Sequence, residues 1–186
     1  MDPIGSVATR MAQIQARIAT ITGTTAPTVT RAATSTSATF ATALSKASVT
    51  GQLNADGVPL SLVAYGNGKV PQSALKQVGT TGHRLWAPAA ASLEQLIAAA
   101  RRDGVQIGIS DSYRSYPEQV DIARRKGLYK NGGLAAVPGT SDHGWGLAVD
   151  LDLGDRAQSW MAAHASRYGF RADTPREPWH WAYQPA

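Results

Sequence analysis

Apolar residues recur along the chain with two different periods, and the change from one to the other marks out the elements. Ile4, Val7, Met11, Ile14, Ile18 and Ile21 alternate spacings of three and four, the seam of an amphipathic helix over residues 1–21. Leu93, Leu96, Ile97 and Ala100 fall on one face of a helix from Pro88 to Arg102, with Gly104 as its stop. Val105, Ile107 and Ile109 alternate and predict a strand running into Asp111-Ser112-Tyr113-Arg114. Ser115-Tyr116-Pro117-Glu118 is a capping box with proline in the first turn, so a helix starts there and runs to about Lys126. Residues 127–139 read as a loop. Leu147, Val149, Leu151 and Leu153 alternate with Ala148, Asp150 and Asp152, a strand with one buried face. Asp155 can cap a helix through Tyr168, stopped by Gly169, and Trp179 to Tyr183 make a short aromatic strand. Helices interspersed with short strands predict an α+β fold.

Between the first helix and this region the pattern vanishes. Residues 22–39, TGTTAPTVTRAATSTSAT, have too little apolar surface to offset their ordering entropy. The expected organisation is therefore an N-terminal amphipathic helix (1–21), a Thr/Ser/Ala-rich linker with a possible short helix near Phe40 and Leu44 (22–50), and a globular domain (51–186). The first helix could dock on a partner or self-associate.

Composition narrows the chemistry. With no cysteine among 186 residues, a thiol nucleophile, a disulfide scaffold and a cysteine-bound metal are all excluded. A metal site must come from His, Asp and Glu, and the only histidines are His83, His143, His164 and His180. The net charge of +5 favours a polyanionic partner. The basic residues are dispersed and lack interleaved aromatics, so no nucleic-acid groove is expected; anionic wall polymers fit as well. No apolar run is long enough for a transmembrane helix. The start, Met1-Asp2-Pro3-Ile4, lacks the basic and apolar regions of a secretory signal.

Two segments concentrate reactive side chains: Ser141-Asp142-His143-Gly144-Trp145-Gly146-Leu147-Ala148-Val149-Asp150 and Glu177-Pro178-Trp179-His180-Trp181. A catalytic zinc takes about three nitrogen or oxygen ligands and keeps one position open. His143 enters from a glycine-rich turn, Asp150 from the polar face of the following strand, and His180 from the last strand. Asp152 faces the same way as Asp150 and is an alternative ligand. Glu177 precedes His180 by three residues, which strict alternation would put on opposite faces. Pro178 marks the strand start and lets Glu177 turn inward from the loop, where a carboxylate can take a proton from water and pass it to a leaving amine. Singly, each feature has an ordinary structural explanation; the combination points to a metal centre. Zinc suits two imidazoles and one carboxylate best. His83 reads as structural or at the cleft rim, and His164 as a helix-surface residue.

These motifs resemble the D-alanyl-D-alanine carboxypeptidase and endopeptidase family of zinc peptidases, the group that includes the VanY-type enzymes of vancomycin resistance. The residues that carry the resemblance are Ser112-Tyr113-Arg114-Ser115 with Gln119, then Ser141-x-His143-x-x-Gly146-x-Ala148-x-Asp150, then Glu177-Pro178-Trp179-His180-Trp181, within roughly residues 65–183. The resemblance implies a small central antiparallel sheet with flanking helices, the fold shared with hedgehog signalling domains. It implies one catalytic Zn2+ on His143, Asp150 and His180, Glu177 as general base and acid, and Arg114 stabilising the developing oxyanion. Ser141, with Gln119, Tyr113 and Ser112, would bind substrate. The implied reaction is hydrolysis of peptidoglycan stem peptides, foremost at D-Ala-D-Ala. Endopeptidase action of the L-Ala-D-Glu type (wall remodelling or phage lysis) and a non-catalytic zinc-containing wall-binding module are the alternatives. Action would then be extracytoplasmic, reached by flagellar-type export or by lysis.

Overall fold

The computed structural model describes residues 51–185. The expected helices over 1–21 and near Phe40 and the linker between them lie outside the described residues. Two strands, β1 (Lys76–Gln77) and β2 (Arg84–Leu85), pair as a small antiparallel ribbon. The chain then forms α1 (Ala87–Arg102), β3 (Gly108–Asp111), α2 (Tyr116–Lys126), β4 (Ala148–Asp152), α3 (Asp155–His164), β5 (Phe170–Arg171) and β6 (His180–Tyr183). Strands β3, β4, β6 and β5 lie side by side in that order, every pair antiparallel. This is the α+β fold that the sequence pattern predicts, with the small antiparallel sheet that the family resemblance implies.

Local chemistry accounts for the helix limits. Helix α1 ends in a Schellman arrangement: Val105 N–H donates to the Ala100 carbonyl at 2.8 Å and Gly104 N–H to Arg101 at 3.0 Å. Gly104 takes the positive φ (69°) this turn requires, and Val105 buries itself beyond it. Helix α2 begins on the predicted capping box, Ser115 accepting from the Glu118 amide and Glu118 accepting from the Ser115 amide. Some predicted boundaries move. Gly154, not Asp155, is the N-cap of α3, and Asp155 lies in the first turn, where its charge meets the positive end of the helix dipole. The α-helix stops at His164 and a 3-10 turn, Ala165–Tyr168, carries the chain to Gly169. The strand predicted from Val105 onward pairs only over Gly108–Asp111, while Val105 and Ile107 are buried ahead of the ladder.

The core collects Leu93 and Leu96 from α1, Val149 and Leu151 from β4, Met161 from α3, Phe170 from β5 and Trp181 from β6, with Leu85 and Trp86 at the ribbon's end. Fully burying one such aliphatic side chain stabilises by about 1.5–3 kcal/mol. Leu62, Val70, Leu75 and Val78, which precede the ribbon's second strand, belong to the same core. Because Val149 and Trp181 are cross-strand partners facing the core, their neighbours Asp150 and His180, also direct partners, share the opposite face.

Candidate metal centre

The register of the two central strands builds the site. Asp150 of β4 stands opposite His180 of β6, and His143 arrives from the 3-10 turn Asp142–Trp145 that feeds β4. Asp150 Oδ1 lies 3.1 Å from His180 Nδ1 and 3.3 Å from His143 Nε2, and the two ring nitrogens are 3.2 Å apart. Ligands about 2.0–2.1 Å from a tetrahedral zinc are about 3.3 Å from one another, so this triangle has the size of one face of a zinc coordination tetrahedron. Among the described residues these three form the group able to hold a metal.

The donor atoms are oriented for that task. His143 Nδ1 sits 2.7 Å from the Ser112 carbonyl, which can only accept, so Nδ1 carries a proton and Nε2 is the nitrogen turned to the triangle. His180 Nε2 points toward Asp173 Oδ1 at 3.7 Å, leaving Nδ1 for the triangle. Burial alone would raise the Asp150 carboxyl, but hydrogen bonds to His143 and His180 outweigh it and hold it well below the usual carboxylate range. Burial opposes a charge on His180, yet its bond to Asp150, with the charges of Asp150, Asp173 and Glu177, raises its pKa above the ordinary value. A site that fixes one carboxylate as an anion beside two imidazoles is electrostatically prepared for a cation. Asp152 lies exposed opposite Gly108 at the end of the ladder and is not part of the group.

The triangle opens into a cleft of about 330 Å³, lined among others by Arg114, Tyr129, Ser141, Asp142, Asp173 and Glu177. Glu177 reaches it from a turn in which its amide bonds the Thr174 carbonyl and its own carbonyl accepts from the His180 amide at 3.0 Å. The ladder starts at His180 itself, so Glu177 is outside the strand and free of its alternation. Arg114 is tightly held. Its Nε and Nη2 donate to Asp111 Oδ2 at 3.0 and 2.5 Å, Nη1 donates to Gln119 Oε1 at 2.8 Å, and Nη2 lies 3.5 Å from Asp150 Oδ2. A bulge in β3 makes this possible by bringing Asp111 rather than Ser110 opposite Asp150.

The remaining predicted residues are near the centre but not all in its cleft. Ser141 lines the cleft, buried. Gln119 is buried behind Arg114, its amide donating to the Ala136 carbonyl at 2.9 Å. The Ser112 hydroxyl faces His83 Nδ1 (3.1 Å) and the Arg84 amide (3.2 Å), so Ser112 touches the centre through its carbonyl. Tyr113 lines a neighbouring groove with Pro117, Glu118 and Asp121. His83 is thereby a structural partner of Ser112, and His164 is half-buried, stacked on Trp160 at 4.5 Å.

Several residues of the cleft and its supports escaped the sequence reading. Asp111 and Asp173 showed only as single acids, and Tyr129 sat inside what read as a plain loop. Asn67 and Gly68 drew no reading from the sequence, yet the Asn67 amide donates to the Ser141 carbonyl at 2.7 Å. Gly68 N–H donates to the Gly144 carbonyl, and the Gly68 carbonyl accepts from Tyr116, both at 2.8 Å. This strap pins the His143 turn against the start of α2. The glycine-asparagine repeat of residues 66–68 was the one available signal.

Comparison with known proteins decides the family. The family model for VanY, D-alanyl-D-alanine carboxypeptidase, matches residues 82–186, more than half of the chain and all of the centre described above. The chain belongs to the VanY family. It is 32% identical over 120 residues to a D-alanyl-D-alanine carboxypeptidase of Enterococcus faecalis, a match covering 49% of this chain and 45% of that protein. The chain spans less than half the length of the curated relatives it matches. Among solved structures, this VanY-family chain resembles VanYB in complex with D-alanine-D-alanine (31% identity, TM-score 0.51, 59% of this chain and 76% of that one). It also resembles a mutant of the vancomycin resistance D,D-pentapeptidase VanY from a VanB-type resistance cassette, in complex with Zn(II) (27% identity, TM-score 0.51, 73% and 87%).

Proposed function

We propose that this VanY-family chain is a zinc-dependent peptidase acting on peptidoglycan stem peptides, with D-Ala-D-Ala carboxypeptidase action as its main reaction. The observation that carries this reading is the His143–Asp150–His180 triangle, with edges of 3.1–3.3 Å, opening into a cleft that also holds Glu177 and Arg114. The three residues of the triangle would hold zinc. When bound, that ion supplies Lewis acidity, lowering the pKa of water and polarising a carbonyl.

The chain's own residues do the rest. Glu177 takes the proton of the attacking water and returns it to the leaving amine; such acid–base transfer contributes about 10²–10⁴-fold. Arg114, immobilised by Asp111 and Gln119, presents a fixed cation toward the oxyanion that develops on the scissile carbonyl. Ser141 offers its hydroxyl to the peptide, while Ser112 and Gln119 act behind, on His143 and Arg114. A stem-peptide substrate places the action outside the cytoplasm, in the wall.

The test is peptide release from purified muropeptides by the zinc-loaded protein beside Glu177→Ala, read by mass. Loss of a terminal D-Ala that the variant abolishes is expected. Cleavage after the first L-Ala instead would move the chain to the endopeptidase reaction, and no cleavage by protein holding stoichiometric zinc would sink the peptidase reading.

A further inference from the structure

Tyr129 forms part of the cleft wall that the machinery above leaves without a task. It opens the 3-10 turn Tyr129–Asn131 in the loop after α2. Its ring is half-buried, and its hydroxyl is buried with no hydrogen-bond partner among the described residues. Burial, then the neighbouring Glu177 carboxylate, push the hydroxyl pKa up to about 12, so it stays a protonated donor at any physiological pH. Glu177 is near enough for that influence but does not meet the hydroxyl in hydrogen-bonding geometry.

The placement is built rather than incidental. Arg176 lies over the Tyr129 ring, 5.1 Å from its centroid, and donates to the Gly132 and Gly133 carbonyls at 3.3 and 3.1 Å. Arg176 is also the one described non-glycine residue with positive φ, 73°, a conformation that persists only where its surroundings enforce it. The residue after it is Glu177. One strained arginine thus joins the loop bearing Tyr129 to the turn bearing Glu177, and both side chains face the same cleft. A buried donor left unsatisfied costs free energy, which a peptide oxygen entering the cleft would recover.

We propose that Tyr129 is a further substrate-contact residue, its hydroxyl donating a hydrogen bond to a backbone oxygen of the peptide lying along the Glu177 wall. This rests on the peptidase reading. Tyr129→Phe keeps the ring under Arg176 and removes only the oxygen, so steady-state cleavage and thermal unfolding of the zinc-loaded variant beside wild type test it. The melting temperature should stay equal or rise, and kcat/KM should fall about ten- to hundredfold. Unchanged kcat/KM overturns the proposal, as does an activity loss matched by a fall in melting temperature. A second arm uses calorimetry of intact stem peptide on zinc-loaded Glu177→Gln, with and without Tyr129→Phe. Weaker binding with Phe supports the contact even if wild type proves unable to cleave, which would end the peptidase reading alone. Equal binding, or none to either protein, overturns the contact.

Discussion

At the scale of single residues, the centre is a set of charges that constrain one another. His180 has a raised pKa in the fold, so its contribution to stability is complete below its ordinary 6.5 and is lost as pH climbs through the raised value. Asp150 is depressed, so its contribution is present above its ordinary 3.8 and is lost as pH falls below it. The metal-free chain should therefore melt highest between these limits, and added zinc, which needs both imidazoles unprotonated, should move the optimum upward. Melting curves from about pH 4 to about pH 9 with chelator or zinc check this; a metal-free profile that is flat across the range contradicts it. Asp111 offers a second test. It bonds Arg114 twice at a guanidinium only 11% exposed, so Asp111→Ala should lower kcat/KM about tenfold or more while zinc affinity holds. Undiminished turnover would show that Gln119 and Asp150 suffice to hold the cation. The three proposed ligands and Glu177 could be singled out because each stands in a short, chemically dense motif. Asp111 was not, since the bulge that turns it toward Asp150 leaves no mark in the alternation of Val105, Ile107 and Ile109.

At the scale of elements, the turn Asp142–Trp145 is the critical piece, because it must present His143 while starting a buried strand. A Cβ on Gly144 would collide with the Asn67 amide and lie 2.8 Å from the Gly68 nitrogen, and these are the atoms that hold the turn. Gly144→Ala should thus destabilise the fold by about 1–3 kcal/mol through overpacking and weaken zinc binding with it. Calorimetric unfolding and a zinc-competition titration would measure the two losses, and a variant with native metal affinity would contradict the strap's role. Gly146 has a different necessity, a φ of 66° and a neighbour, the Trp86 amide, that leaves no room for a side chain. Helices were legible because their caps are local: Ser115 with Glu118, Gly104 with Val105. The strap was not, for its contacts join residues some 74 positions apart and depend on backbone carbonyls, which every residue possesses.

For the whole molecule, the family match and the folding unit have different limits. The match begins at residue 82, whereas Leu62, Val70, Leu75 and Val78 are buried in the same core as Trp86 and Leu93. Removing four such side chains forfeits burial comparable to the whole net stability of a domain of this size. A chain starting at residue 82 should show no cooperative unfolding transition and no stoichiometric zinc binding, while one starting near residue 51 should keep both. Circular dichroism melts of the two truncations decide it; cooperative unfolding of the shorter one would place the boundary at the family match instead.

The cross-strand pairing of Asp150 with His180 also has a consequence in time. The three proposed ligands come from the turn before β4, from β4 itself and from β6, and one residue of slippage between β4 and β6 would carry His180 to the other side of the sheet. No local fragment of the polypeptide can present the triangle. During folding, high-affinity capture of the ion must wait until the last strand has found its register, so the metal arrives as a seal on a finished sheet rather than as the nucleus around which it forms.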